Sequence, residues 1–280
     1  MKAFKQFITE QKEIKVGSYE TTHHYMCPSA VRFIKKHSRM DHDPQDLEDI
    51  ARLSDDVFKI EAEVEKSGKV SDDQNIIMGH RAAREMTTGK HNIALGYASL
   101  QGDGSTAPTG DCNIAIGAES AKNLTTGCYN IIFGCGAASA QNITGCYNIL
   151  FGHMTGCCLS TGGDNTVVGT CAAMRLTTGC KNVAIGDDSA KGVSGDFTGE
   201  YNVFAGNESG KRITSGSGNV AIGARAGEKL TNGYMNTFLG FDAGQGTQTG
   251  GCNVAIGRGV PLPITNGSHQ LVIGYCAGPS

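Results

Sequence analysis

Tryptophan is missing from the 280 residues, proline occurs six times, and only 18% of side chains are charged. The net charge of −3 gives no electrostatic footprint for nucleic acid or an anionic membrane, so neither is expected as a partner. The opening Met1-Lys2-Ala3-Phe4-Lys5-Gln6-Phe7 runs into charged residues without an apolar stretch of signal-peptide length, and no run approaches the length of a membrane-spanning helix, so no membrane insertion is expected. GxSxG, Walker and HExxH motifs are absent, which removes the common hydrolase, nucleotide and zinc-protease signatures. No cofactor is expected, and the chain reads as a non-enzyme.

What is present is glycine, 40 residues of it, and a repeated phrase best seen as TGCKNVAIG, Thr178 to Gly186. Its defining position is Asn75, Asn92, Asn113, Asn130, Asn148, Asn165, Asn182, Asn202, Asn219, Asn236 and Asn253, with Gln270 in the last copy. Eight of the eleven spacings are 17 residues, and the others are 21, 18 and 20. A short fixed period means stacked copies of one supersecondary unit.

Glycine stands four residues after the defining position in all twelve copies and three before it in eleven, with Asp72 the exception. Such bracketing glycines mark tight corners or close backbone approach. Between them runs a short alternating apolar segment, as in Val183 and Ile185, with the period of a half-buried strand. Ala or Ser follows the second glycine by three residues in ten copies. One strand, glycine corners and an internal polar column describe a parallel β-solenoid of about 17-residue coils. Stacking places each Asn above the last, as a structural ladder of side-chain amides.

The middle strand position is read as facing outward, and it is never polar: Ile77, Ala94, Ala115, Ile132, Leu150, Val167, Ala184, Phe204, Ala221, Phe238, Ala255 and Val272. A strand apolar on both sides is covered on both sides. The expected cover is further copies of the chain, with the bulky members Ile77, Ile132, Leu150, Val167, Phe204, Phe238 and Val272 forming a homotrimer interface. Upstream, Ile50, Leu53, Val57, Ile60 and Val64 are spaced 3, 4, 3, 4, a heptad seam that predicts a short trimeric coiled coil over 46–68. Residues 1–45 are read as a docking segment and 69–280 as the solenoid shaft.

The phrases HNIALGYAS (His91 to Ser99), CNIAIGAES (Cys112 to Ser120) and NVAIGARAG (Asn219 to Gly227) resemble the head repeats of trimeric autotransporter adhesins. The fuller TTGCYNIIFG, Thr125 to Gly134, is similar to the repeats of phage and other viral tail-fibre proteins. The missing export signal favours the viral family. This resemblance implies a trimeric fibre or spike on the tail or capsid surface of a virion. It would attach to other virion proteins through the N-terminal segment and meet a host surface receptor or glycan. A cell-surface or extracellular filament adhesin and a polysaccharide-cleaving tailspike are the alternatives. The latter needs an acidic pair, for which Asp187-Asp188 is the candidate.

The three longer spacings mark insertions at Gln101 to Pro108, between Gly134 and Asn148, and at Gly192 to Phe197, with Tyr129, Tyr147 and Tyr201 as exposed aromatics near them. Extra residues in a solenoid emerge on one face and can form its contact surface. Eleven cysteines, three of them in the column two before the Asn (Cys128, Cys146 and Cys180), are expected as free thiols acting as small buried hydrophobes, with bridges between coils as the alternative.

Overall fold

The computed structural model describes residues 74–276 except 103, 105, 140–141 and 261–265. The docking segment, the coiled-coil residues Ile50, Leu53, Val57, Ile60 and Val64, and Cys27 lie outside these described residues. The described chain is an all-parallel β-solenoid of twelve strands. In chain order they are β1 (Ile76–Met78), β2 (Ile93–Leu95), β3 (Ile114–Ile116), β4 (Ile131–Phe133), β5 (Ile149–Phe151), β6 (Thr166–Val168), β7 (Val183–Ile185), β8 (Val203–Ala205), β9 (Val220–Ile222), β10 (Thr237–Leu239), β11 (Val254–Ile256) and β12 (Leu271–Ile273). Each pairs in register with the next, so the three long spacings never shift the ladder.

Strands are three residues long because the chain turns at both ends. The residue before each Asn sits in the left-handed region, as at Cys112, Tyr129 and Lys181, with φ of 57°, 58° and 58°. The closing glycine takes a φ of 125° to 145°, as at Gly257 and Gly274. Two more left-handed corners follow, as at Glu119 and Ala121. No described residue at these corners is β-branched, in keeping with the steric cost of that conformation. The closing glycines also stack. A Cβ on Gly79 would stand 2.5 Å from the carbonyl oxygen of Gly96, and one on Gly89 would stand 2.7 Å from that of Gly110. The neighbouring coil therefore requires glycine in both columns, and the closing column needs it for its positive φ as well.

The mid-strand residues are inside the coil, which corrects the outward orientation expected for them. Ile132, Leu150, Val167, Phe204 and Phe238 are fully buried within one chain, and Ile77 and Val272, in the first and last described coils, are partly buried against the same core. The physical reason is parity: with a two-residue period, the position two after an inward Asn also points inward, and the residues flanking it point out. These seven side chains are core and offer no surface to another subunit.

A second core column, unforeseen from the repeat phrase, lies eleven residues after the Asn, at Leu124, Leu159, Leu176, Ile213 and Leu230. Two of the insertions deliver residues into it: Ile143 bridges Leu124, and Phe197 bridges Leu176, both fully buried. The extra residues are thus absorbed at the corner without disturbing the core. Across the coil, size is matched to size. Leu150, Phe204 and Phe238 face Gly156, Gly210 and Gly244, and at the same offset in their coils the buried Ala115 and Ala184 are matched with Ala121 and Ala190. In the β9 coil Ala221 meets Gly227, and the Phe238 ring of the next coil lies against that glycine. A Cβ on Gly244 would enter the Phe238 ring at 2.5 Å. Constant cross-section is what lets coils of different sequence stack at one spacing.

Candidate interaction surface

The Asn column is a continuous internal ladder. Each Oδ1 accepts the backbone N–H of the next coil's Asn, or of Gln270, at 2.8–3.2 Å. Each Nδ2 donates to the carbonyl of the next coil's corner glycine at 2.7–3.0 Å. From Asn92 to Asn253 the side chains are buried to within 1% of complete. From Asn113 to Asn236 each Nδ2 also donates to the Oδ1 of the preceding coil's Asn at 2.9–3.1 Å, so the hydrogen-bonding capacity is spent on the backbone and within the column, which offers no row of amides to a ligand.

A second ladder explains the cysteines two before the Asn. The backbone N–H of Cys128 donates to Cys146 Sγ at 3.1 Å, and that of Gly163 to Cys180 Sγ at 3.3 Å. Where the column holds serine, Glu200 N–H donates to Ser217 Oγ and Gly251 N–H to Ser268 Oγ, both at 3.1 Å. Each thiol also donates to the carbonyl two residues back, as Cys128 does to Thr126 at 3.3 Å. These cysteines stand in for serine. The ten described cysteines are free, and they are half-buried or, at Cys135 and Cys276, exposed, so the expected full burial does not hold. Burial, then its neighbour Cys158, pushes the Cys157 thiol up to about 12, which keeps it out of the reactive thiolate form near neutral pH. Replacing Cys146 by serine is expected to leave thermal stability within about 0.5 kcal/mol, whereas valine, which cannot accept from Cys128 N–H, should cost about 1 kcal/mol. Paired thermal melts of the two variants check this.

The outer side of the sheet is apolar along its whole length. Two residues per strand flank the buried middle, and of these 24 positions only Thr166 and Thr237 are polar. Exposure is substantial: Ile149 37%, Phe151 38%, Ile185 45%, Ile222 40% and Leu239 44%. In the coils of β4 and β5 the surface becomes aromatic, with Phe133 stacked on Phe151 at 4.7 Å and Tyr129 on Tyr147 at 5.2 Å. Tyr201 accepts a hydrogen bond from Lys181 Nζ at 3.1 Å, and the same ammonium lies 5.1 Å from its ring centroid. All three tyrosines are exposed, and these ring contacts run along their own column.

Asp188 of the acidic pair is held by two lysines. Burial pushes the Asp188 carboxyl up, but hydrogen bonds from Lys191 and Lys211 outweigh it and hold the group below the usual range, the opposite of a general acid. Among the described residues no cluster of three or more His, Cys, Asp or Glu could hold a metal ion, and no helix is long and apolar enough to cross a membrane. Comparison with protein-family models, with curated proteins and with solved structures finds no match to this chain.

Proposed function

We propose that the protein is a structural fibre or spike subunit of a virus particle, a homotrimer whose solenoid projects toward a host surface and mediates attachment. The observation that carries this reading is the outward sheet face, apolar at 22 of 24 positions (24 less Thr166 and Thr237). An apolar stripe running the length of a rod exceeds what single soluble chains leave uncovered. Sister subunits cover it most simply, because three parallel rods about a shared axis bring coil against equivalent coil and like columns together. With coils rising about 4.8 Å each, such a rod is a stubby shaft about 58 Å long. Residues 1–45 serve as the docking segment to other virion proteins, and 46–68 as a short coiled coil that aligns the three chains.

The reading makes a sharp distinction among neighbouring side chains. Three copies of 29.3 kDa give about 88 kDa, the expected mass by light scattering. Lysine at Ile149 and Phe151, which point outward, should yield a folded chain of lower assembly state, with the β-sheet circular dichroism retained. Lysine at the buried Leu150 between them should instead unfold the coil. A wild-type chain that is monomeric and well folded at micromolar concentration overturns the proposal, as does imaging of the particle that shows no threefold rod.

A further inference from the structure

Phe241, Arg258 and Tyr275 each follow the closing glycine of a strand, β10, β11 and β12, and so stack in one column along the axis. The Arg258 guanidinium lies between the two rings, 5.5 Å from the Phe241 centroid and 5.9 Å from that of Tyr275. Its neighbour Arg225 packs on the other ring contact of Phe241 at 4.9 Å, but that guanidinium is occupied: Nε donates to Asp242 Oδ1 at 2.7 Å and Nη2 to Oδ2 at 2.6 Å. In the two following coils the position of Asp242 is held by Gly259 and Cys276. Among the described residues Arg258 has no ion pair. Both rings are exposed, Phe241 at 42% and Tyr275 at 73%.

We infer that Phe241, Arg258 and Tyr275 form a binding site for a carboxylate-bearing sugar. Ring contacts restrict the guanidinium and leave its N–H edge for bidentate pairing with a planar carboxylate. Exposed ring surface beside it can pack against the C–H face of a pyranose, the usual combination of apolar wall and few polar groups in a small-molecule site. This rests on the attachment role proposed above and names the chemistry of the ligand.

The test uses the full chain and four probes followed by isothermal titration: sialyllactose, a galacturonate trimer, lactose and hexaglutamate. At least one acidic sugar should bind while lactose does not, and which of the two binds identifies a sialic or a uronic source. Arg258→Gln should weaken that binding about tenfold or more, the loss of one charge-assisted pair. Arg258→Lys should recover only part of it, and Arg212→Gln, an exposed arginine in another coil, should leave it unchanged. Circular dichroism of each variant verifies the fold. Failure of both acidic sugars, equal binding of lactose, or affinity unmoved by Arg258→Gln in a folded variant overturns the inference. Arg258-dependent binding of hexaglutamate alone overturns it in favour of an acidic protein partner. Light scattering on the same samples separates the two ideas: a trimer that ignores acidic sugars defeats only this site, whereas sugar binding by a monomer defeats only the fibre reading.

Discussion

Replacing Asn182 by alanine is expected to destabilise the solenoid by about 4 kcal/mol, far more than an ordinary hydrogen-bond deletion. Two buried groups lose their partner at once: the Asn202 backbone N–H, which donates to Asn182 Oδ1 at 3.0 Å, and the Gly199 carbonyl, which accepts from Asn182 Nδ2 at 2.9 Å. Each orphaned group costs about 1–3 kcal/mol, and the coil is too tightly stacked for water to replace the amide. On a chain of this size the shift in Tm should be about 10 °C. Aspartate separates geometry from charge. It retains an acceptor toward Asn202, but sets a carboxylate oxygen against Asn165 Oδ1 and the Gly199 carbonyl. Its pKa should rise on folding, so the folded state binds the proton more tightly and the stability of Asn182→Asp should fall as pH rises through the carboxylate range. Melts of the two variants between acid and neutral pH decide the matter. A pH-independent Asn182→Asp, or an alanine variant within 1 kcal/mol of wild type, would mean that the ladder is ornamental.

Gly210→Ala is the second substitution with a large expected effect, about 3 kcal/mol, and it is expected to be reversible by a change elsewhere. The added methyl enters the Phe204 ring, whose edge is also packed against Phe197 at a centroid distance of 6.4 Å and 67°. The cost is overpacking plus a small term for alanine at a φ of 58°, a conformation that Ala190 already adopts at 50°. Phe204→Ala alone should leave a cavity and cost about 3–4 kcal/mol. Combined, the two changes rebuild the Ala–Ala pairing of Ala115 with Ala121 and of Ala184 with Ala190. The double variant should therefore be at least 1.5 kcal/mol more stable than the sum of the single losses. Strict additivity in denaturant titrations would show that the two sites do not share one volume.

Which features could be read in advance follows from how local their cause is. The glycine and asparagine columns recur at fixed offsets because every coil meets the same corner and the same neighbour, so repetition alone exposes them. The leucine column was equally periodic, visible in Leu124-Thr125-Thr126-Gly127 and Leu176-Thr177-Thr178-Gly179, but two insertions shift Ile143 and Phe197 out of phase and blur it. Orientation of the strand was a matter of parity. Taking the never-polar middle position as the outer face gave the wrong set of side chains, since Ala and Phe alternate there to fit an interior of constant width. The serine-like cysteines could not be recognised from spacing, because the N–H they accept belongs to the preceding coil. Nor could the open guanidinium of Arg258, which depends on residues 17 positions away on either side falling into one column.

Period and composition by themselves determined that the chain stacks in coils of about 17 residues with an amide ladder inside, since only a fold that repeats its environment needs the same residue at every turn. Packing between coils alone decided which side of each strand is core, which glycine yields to which phenylalanine, and which charges pair. Those outcomes depend on volumes and distances between coils, and a linear order of residues carries no distance until the register of the stack is set.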